Sequence, residues 1–240
     1  MTDRAMALRV LAALHETPIS GEAVLVGSSG LFGFSTAVPA LTEDIDISVP
    51  ETTVNEHGAE IVAGLRAQGF EHEPGTATFV GAEGTVFDLL GHGDPREGDH
   101  IGGAGVLRVM VFEDLSRIVG ELGATVSLPG GGRGLSPAGF VACKLLTERV
   151  HKGSKDKIQA LLVLAERENE ASFLRDLTRI FQGTDPVRLE DVRASAQDAL
   201  LALARDPTFS DAGAEGYAGV LDKVERGLVR LMTLLEGLGG

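Results

Sequence analysis

Two carboxylates, Asp44 and Asp46, stand in the β-prone run "TEDIDISV", and fifteen residues separate them from the small pair Gly27-Ser28 in "AVLVGSSG". Residues two apart in a strand share a face, so Asp44 and Asp46 project together while Ile45 and Ile47 turn toward a core. Two like charges held that close are costly unless a divalent cation sits between them, and oxygen-only ligands suit Mg²⁺ or Mn²⁺. A third acid, Asp88, lies in "TVFDLLG" between Phe87 and Leu89. If its strand lies beside the "DIDIS" strand, three carboxylates converge on one or two metal ions, a geometry suited to in-line phosphoryl or nucleotidyl transfer. The glycine pair supplies the complementary half. "VGSSG" after a short strand lets the backbone approach a ligand closely, the helix that follows offers free N–H groups to a phosphate, and Ser28 and Ser29 add hydroxyl donors. No Gly-Lys-Ser/Thr follows, so this is not the phosphate loop of the ATPases.

The elements that must position these groups fall into two regimes. The first alternates strands and helices: a helix over Ala5 to Leu14, a strand over Ala23 to Gly27, a short helix after Ser29, the "DIDISV" strand, a helix from about Val54 to Gln68, and a hairpin "TATFVGAEGTVFDLLG" turning at Glu83-Gly84. The stretch His92 to Gly105 is rich in Gly, Asp and Pro and reads as an exposed loop, "ATVSLP" reads as a strand, and "GGGRG" as a turn. The second regime is helical. Ser136 is the expected N-cap of "PAGFVACKLLTERV", with Pro137 at its first position, and Ser154 the expected cap of "KDKIQALLVLAERE". Helices through "ASFLRDLTRIFQG", after Asp185-Pro186, and through "GVLDKVERGLVRLMTLLEG" follow. The expected class is α+β, an αβ mixed-sheet domain over residues 1–132 followed by a helical bundle domain over 133–240.

Composition narrows the function. The chain has 240 residues, 43% of them hydrophobic, enough for a real core. With 21 basic and 35 acidic residues the net charge is −14, which disfavours a broad basic surface for nucleic acid. The single cysteine, Cys143, forms no internal disulfide, and a buried helix position is its default. No apolar run approaches membrane-spanning length, and the charged N-terminus does not fit a signal peptide, so the expected location is cytoplasmic with no membrane partner.

The order strand, "GS", helix, "EDIDI", then a later strand with a third Asp resembles the nucleotidyltransferase fold of the DNA polymerase β superfamily. The wide gap before the Asp pair, and "TEDIDISV" itself, are similar to its AbiEii-type branch, which includes nucleotidyltransferase toxins of bacterial toxin-antitoxin pairs. "LSPAGFVACKLLTERVHKGSKDKIQALLVL" resembles the helix-loop-helix of that branch. The resemblance covers roughly Ala23 to Leu164. It implies Gly27 and Ser28 on the nucleotide phosphates, Asp44, Asp46 and Asp88 on Mg²⁺ or Mn²⁺, Lys144 on the triphosphate, and Asp156 as an auxiliary acid or structural anchor. It implies an NTP as substrate, an RNA 3′ end, foremost of tRNA, as acceptor, and an antitoxin as partner. The chain departs from the branch in "GSSGLF" where "GGTAL" is frequent, and in Gln159 where a further Asp is frequent.

Other readings stand beside these. The acceptor could be a small hydroxylated molecule or a protein side chain, or the fold could serve as a non-catalytic nucleotide-binding or interaction module. Arg149, Lys152, Lys155 and Lys157 form the most basic local patch and are the candidate contacts for a triphosphate or an RNA end. His92, Asp94, Asp99 and His100 have ligand chemistry for zinc, but their irregular spacing favours a mobile loop. The stripe Leu228, Leu231 and Leu235 is expected to pack internally.

Overall fold

Asp3 opens the first helix by accepting the Met6 N–H at 2.8 Å, and α1 (Arg4–His15) buries Ala7, Val10, Leu11 and Leu14 at the spacing of one helical face. The computed structural model describes residues 3–38, 40, 42, 44–129, 131–147, 153–205 and 220–238. No helix among them is long and apolar enough to cross a membrane. After α1 come β1 (Val24–Val26), a 3-10 helix (Ser28–Gly33), β2 (Asp44–Pro50) and α2 (Glu51–Ala67). The strands β3 (Glu71–His72), β4 (Thr78–Val80), β5 (Val86–His92), β6 (His100–Ala104) and β7 (Leu107–Val111) lead to α3 (Glu113–Gly120). Two short strands, β8 (Thr125–Ser127) and β9 (Arg133–Leu135), precede α4 (Pro137–Leu146), α5 (Gly153–Glu166), α6 (Ala171–Gln182), α7 (Pro186–Arg205) and α8 (Val220–Leu238). The protein is therefore α+β, a mixed sheet followed by a run of helices.

Among the described residues the sheet has nine strands, in the order β3-β4-β5-β2-β1-β9-β8, with β7 pairing β5 and β6. The central pair sets the chemistry. β2 and β5 run parallel with Asp46 opposite Asp88, and β1 runs antiparallel to β2 with Val26 opposite Asp46. Alternation then sorts the two faces. Leu25, Ile45, Ile47 and Val49 join α1 and α2 in one hydrophobic cluster, while Val24, Val26 and Leu31 join the helices α3 to α8 in another. Asp44 and Asp46 thus turn toward the helical side. The second cluster also spans the expected boundary near residue 132, tying β1 to the C-terminal helices through shared apolar burial.

Four expectations differ from the structure. The stretch from His92 to Gly105 is a loop only over 93–99 and at the Gly105 turn, because β6 pairs antiparallel with β7. Gly102 and Gly103 mark close approach rather than exposure: a Cβ on Gly102 would lie 2.8 Å from the Glu51 side chain, and one on Gly103 2.4 Å from the Leu107 carbonyl. "GGGRG" is not a turn throughout, since Arg133 and Gly134 pair with β1, and Gly33 of the 3-10 helix packs on Gly134 and Leu135. α2 begins at Glu51, with no connecting residue after β2. Ser154 lies inside the first turn of α5, whereas Ser136 does cap α4 by accepting the Gly139 N–H at 3.0 Å. α8 meets α5 so closely that a Cβ on Gly227 would fall 2.0 Å from the Leu161 carbonyl, and Leu231 and Leu235 are buried there as expected.

Candidate functional site

The turn after β1 is built around one glycine. Gly27 has φ 60° and ψ −150°, a region that side chains exclude, and a Cβ there would stand 1.8 Å from Asp46 Oδ2. The main chain of the turn therefore lies directly against the Asp46 carboxylate. Ser29 fixes this approach from beneath, donating its hydroxyl to the Val26 carbonyl at 2.7 Å and accepting the Asp46 N–H at 3.1 Å. Ser29 is fully buried, so the expectation of a second hydroxyl donor for a ligand is corrected: that hydroxyl holds the turn to β2.

Asp44, Asp46 and Asp88 each present a carboxylate oxygen, and the three lie within 4.8 Å of one another. The parallel register of β2 and β5 is the cause, because it sets Asp88 beside Asp46 on one face. Asp46 is 6% exposed, while the other two are half-buried at the rim. Threonines steady the outer pair: Thr42 Oγ1 donates to Asp44 Oδ1 at 2.7 Å, and Thr78 Oγ1 donates to Asp88 Oδ1. Neither threonine was anticipated from sequence, although each lies next to its partner, two residues along the chain or directly across β4 and β5. The donor set is three hard oxygens with no thiol or imidazole, which fits Mg²⁺ or Mn²⁺ and disfavours zinc or copper.

On the other side of Ser28 lies a buried polar network. Lys144 Nζ donates to Ser28 Oγ at 3.0 Å and to Asp156 Oδ1, and the two charged side chains are only 4% and 6% exposed. The ammonium also stands 5.9 Å from the centroid of Phe140. Ser28 Oγ in turn donates to Gln159 Oε1 at 3.1 Å. Lys144 from α4 and Gln159 from α5 thus close on the residue after Gly27, and Asp156, one turn before Gln159 on α5, holds Lys144. The far end of α5 clasps the chain leading to β2: Glu166 accepts the Ala37 N–H at 3.1 Å, and Arg167 stacks 5.5 Å over Phe34.

The structure distributes the remaining candidates differently. Lys157 is buried and donates to the Lys144 and Leu145 carbonyls at 2.9 and 2.6 Å, so it caps the C-terminus of α4 and is not part of a solvated basic patch. Lys155 is half-buried, and Arg149 and Lys152 lie outside the described residues. His92, Asp94, Asp99 and His100 do not gather. His92 Nδ1 meets Ser48 Oγ at 2.8 Å, Asp94 pairs with Arg96, and Asp99 Oδ1 accepts the Glu113 N–H at 2.8 Å. His100 instead joins Glu51 and Glu97, a second group of potential ligands that sequence reading missed. Burial, and secondarily the positive charge of Arg133, push the His92 pKa down to about 4. Cys143 is buried, as expected. No family model, curated protein or solved structure matches this chain.

Proposed function

We propose that the protein is a nucleotidyltransferase dependent on a divalent cation, moving a nucleoside monophosphate from an NTP to an acceptor hydroxyl. One observation carries the reading: the Asp44, Asp46 and Asp88 carboxylates converge within 4.8 Å beside the Gly27 turn, with Lys144 buried against Ser28. The three carboxylates would hold Mg²⁺ or Mn²⁺, which when bound supplies neutralisation of phosphate charge and Lewis-acid polarisation. Ser28 and the backbone beside it bind phosphate oxygens, and Lys144, held by Asp156, donates an N–H to the same group. Asp88 orients the acceptor hydroxyl and takes its proton. The hydroxyl oxygen bonds to the α-phosphorus, the bridging bond to the β-phosphate breaks, and pyrophosphate leaves with that electron pair.

By the resemblance noted above, the first choice of acceptor is an RNA 3′ end, foremost of tRNA, in a toxin restrained by an antitoxin. The net charge of −14 and the burial of Lys157 favour a second reading, a small hydroxylated molecule or a protein side chain. A fold kept for nucleotide binding alone is the non-enzymatic alternative. The test is incubation with each radiolabelled NTP, Mg²⁺ or Mn²⁺, and either total RNA or lysate, following which species acquires label. Asp46→Asn is expected to lower transfer by about a hundredfold or more; full activity in that variant would sink the assignment. Binding that weakens steeply with salt selects RNA, and salt-indifferent binding selects the small acceptor.

A further inference from the structure

Gln159 follows Asp156 by one turn of α5, so both side chains reach the Ser28–Lys144 pair from one helix face. Its Oε1 accepts the Ser28 hydroxyl proton at 3.1 Å, but its Nε2 is fully buried and has no acceptor among the described residues, in a side chain 1% exposed. The rest of the network is satisfied. Ser28 accepts from Lys144 at 3.0 Å, and Lys144 is neutralised by Asp156. Turning the amide over does not help: Ser28 would then receive two donors, its own proton would lose its acceptor, and Oε1 would be the orphan. A buried donor without a partner carries its full desolvation cost, and a site that keeps one is built for an acceptor supplied from outside.

We propose that Gln159 is a phosphate-binding residue, its Nε2 donating to an oxygen of the phosphate that Ser28 and Lys144 hold. This rests on the nucleotidyltransferase reading above and deepens it. Asp46 stands against Gly27 and Gln159 against the next residue, Ser28, so the carboxylates approach the turn from β2 and the amide approaches it from α5. On this proposal it meets a phosphate other than the one that reacts beside the carboxylates, which makes the ligand a polyphosphate and Gln159 a discriminator between tri- and monophosphates. A neutral amide suits the place, because the Lys144–Asp156 pair leaves the network without net charge and a carboxylate there would repel the ligand.

The experiment is calorimetric titration of the full chain with magnesium tripolyphosphate, with each of the four Mg²⁺·NTPs and with the matching NMPs, alongside melting curves without ligand. Gln159→Met removes the donor at similar volume, and Gln159→Glu keeps an acceptor for Ser28 while replacing the donor with a charged oxygen. Both are expected to weaken tripolyphosphate and NTP binding on the order of ten- to a hundredfold, Glu more than Met, with NMP binding little changed. The unliganded Tm of Gln159→Met is expected to stay near that of the wild type, since the orphaned Nε2 goes but the Ser28 hydroxyl loses its acceptor. Wild-type affinity for tripolyphosphate in both variants, or an equal loss for NTP and NMP, overturns the proposal. A wild-type protein that binds neither tripolyphosphate nor any NTP overturns the nucleotidyltransferase reading itself.

Discussion

The two groups of acids at opposite ends of β2 have opposite electrostatic logic. At its start, Asp44 and Asp46 meet Asp88, a set made of acids alone. Just past its end, Glu51 and Glu97 meet His100, which brings its own cation. The His100 Nδ1 faces the Gly98 carbonyl at 2.8 Å and its Nε2 faces Glu51 Oε2 at 3.0 Å. Only a doubly protonated ring donates to both, and these contacts, the Gly98 carbonyl first and Glu51 next, raise the His100 pKa. The second group therefore closes on itself as an ion pair at the mouth of α2, where Glu51 also complements the positive end of the helix. The first group is made of acids alone, and beside it stands the buried polar network of Ser28, Lys144 and Gln159. A cluster of ligand atoms becomes a candidate site through what surrounds it.

The contrast is broken or upheld most strongly at the buried pair. Lys144→Met would leave Asp156 buried without its cation, and a loss of about 3–5 kcal/mol is expected from the denaturant midpoint. The double variant Lys144→Met/Asp156→Leu should recover most of that loss. Glu51→Gln, which removes a partly solvated partner at the other end of β2, should cost far less. If the Lys144 variant were no worse than Glu51→Gln, the two regions would not differ in the way argued.

Next in size is acid titration. His92, held near pKa 4 against an ordinary 6.5, binds its proton more readily in the unfolded chain. Its contribution is complete above pH 6.5 and is lost as pH falls toward 4, a limit on the order of 3 kcal/mol at about 1.36 kcal/mol per pH unit. His100 runs the other way: its pKa is raised, so its contribution is present below pH 6.5 and fades as pH rises through the folded value. Melting curves from pH 4.5 to 8 should show His92→Gln flattening the acid limb and His100→Gln flattening the alkaline one. Identical profiles for the two variants would contradict both assignments.

How much of this was legible in the sequence depended on whether the signal was local. Strand alternation sufficed to put Asp44 and Asp46 on one face with Ile45 and Ile47 behind them, and apolar neighbours marked Asp88 as needing a reason. The close backbone approach allowed at Gly27 and the Ser136 cap were likewise local. What failed was tertiary. Gly102 and Gly103 read as loop because their composition is that of loops, yet they are strand residues that make room for Glu51 and Val54 of α2. Lys157 read as part of a charged surface, and nothing in its neighbours says that its amine caps α4 from within. Gln159 stood out in sequence only as a departure from a pattern, because its link to Ser28 spans 131 positions. Glu51, Glu97 and His100 were missed for the same reason: β2 passes into α2 without a loop, and the third ligand arrives from β6.

The smallest expected effect compares the two clusters directly by removing one acid from each. Asp88 sits across from Asp46 in parallel register, and two unit charges within 4.8 Å repel by on the order of 1 kcal/mol even in a water-like medium. Asp88→Asn keeps the shape and an acceptor for Thr78, so without a divalent cation it should melt higher than the wild type. Glu51→Gln removes attraction to His100 and should melt lower under the same conditions. Adding Mg²⁺ or Mn²⁺ should raise the wild-type and Glu51→Gln midpoints together while moving Asp88→Asn much less, because only Asp88→Asn removes a carboxylate from the proposed metal cluster. Calorimetric melts of the three proteins, with and without cation, measure all of this at once. A cation-dependent rise that vanished in Glu51→Gln and persisted in Asp88→Asn would reverse the comparison, moving the metal to the His100 end of β2.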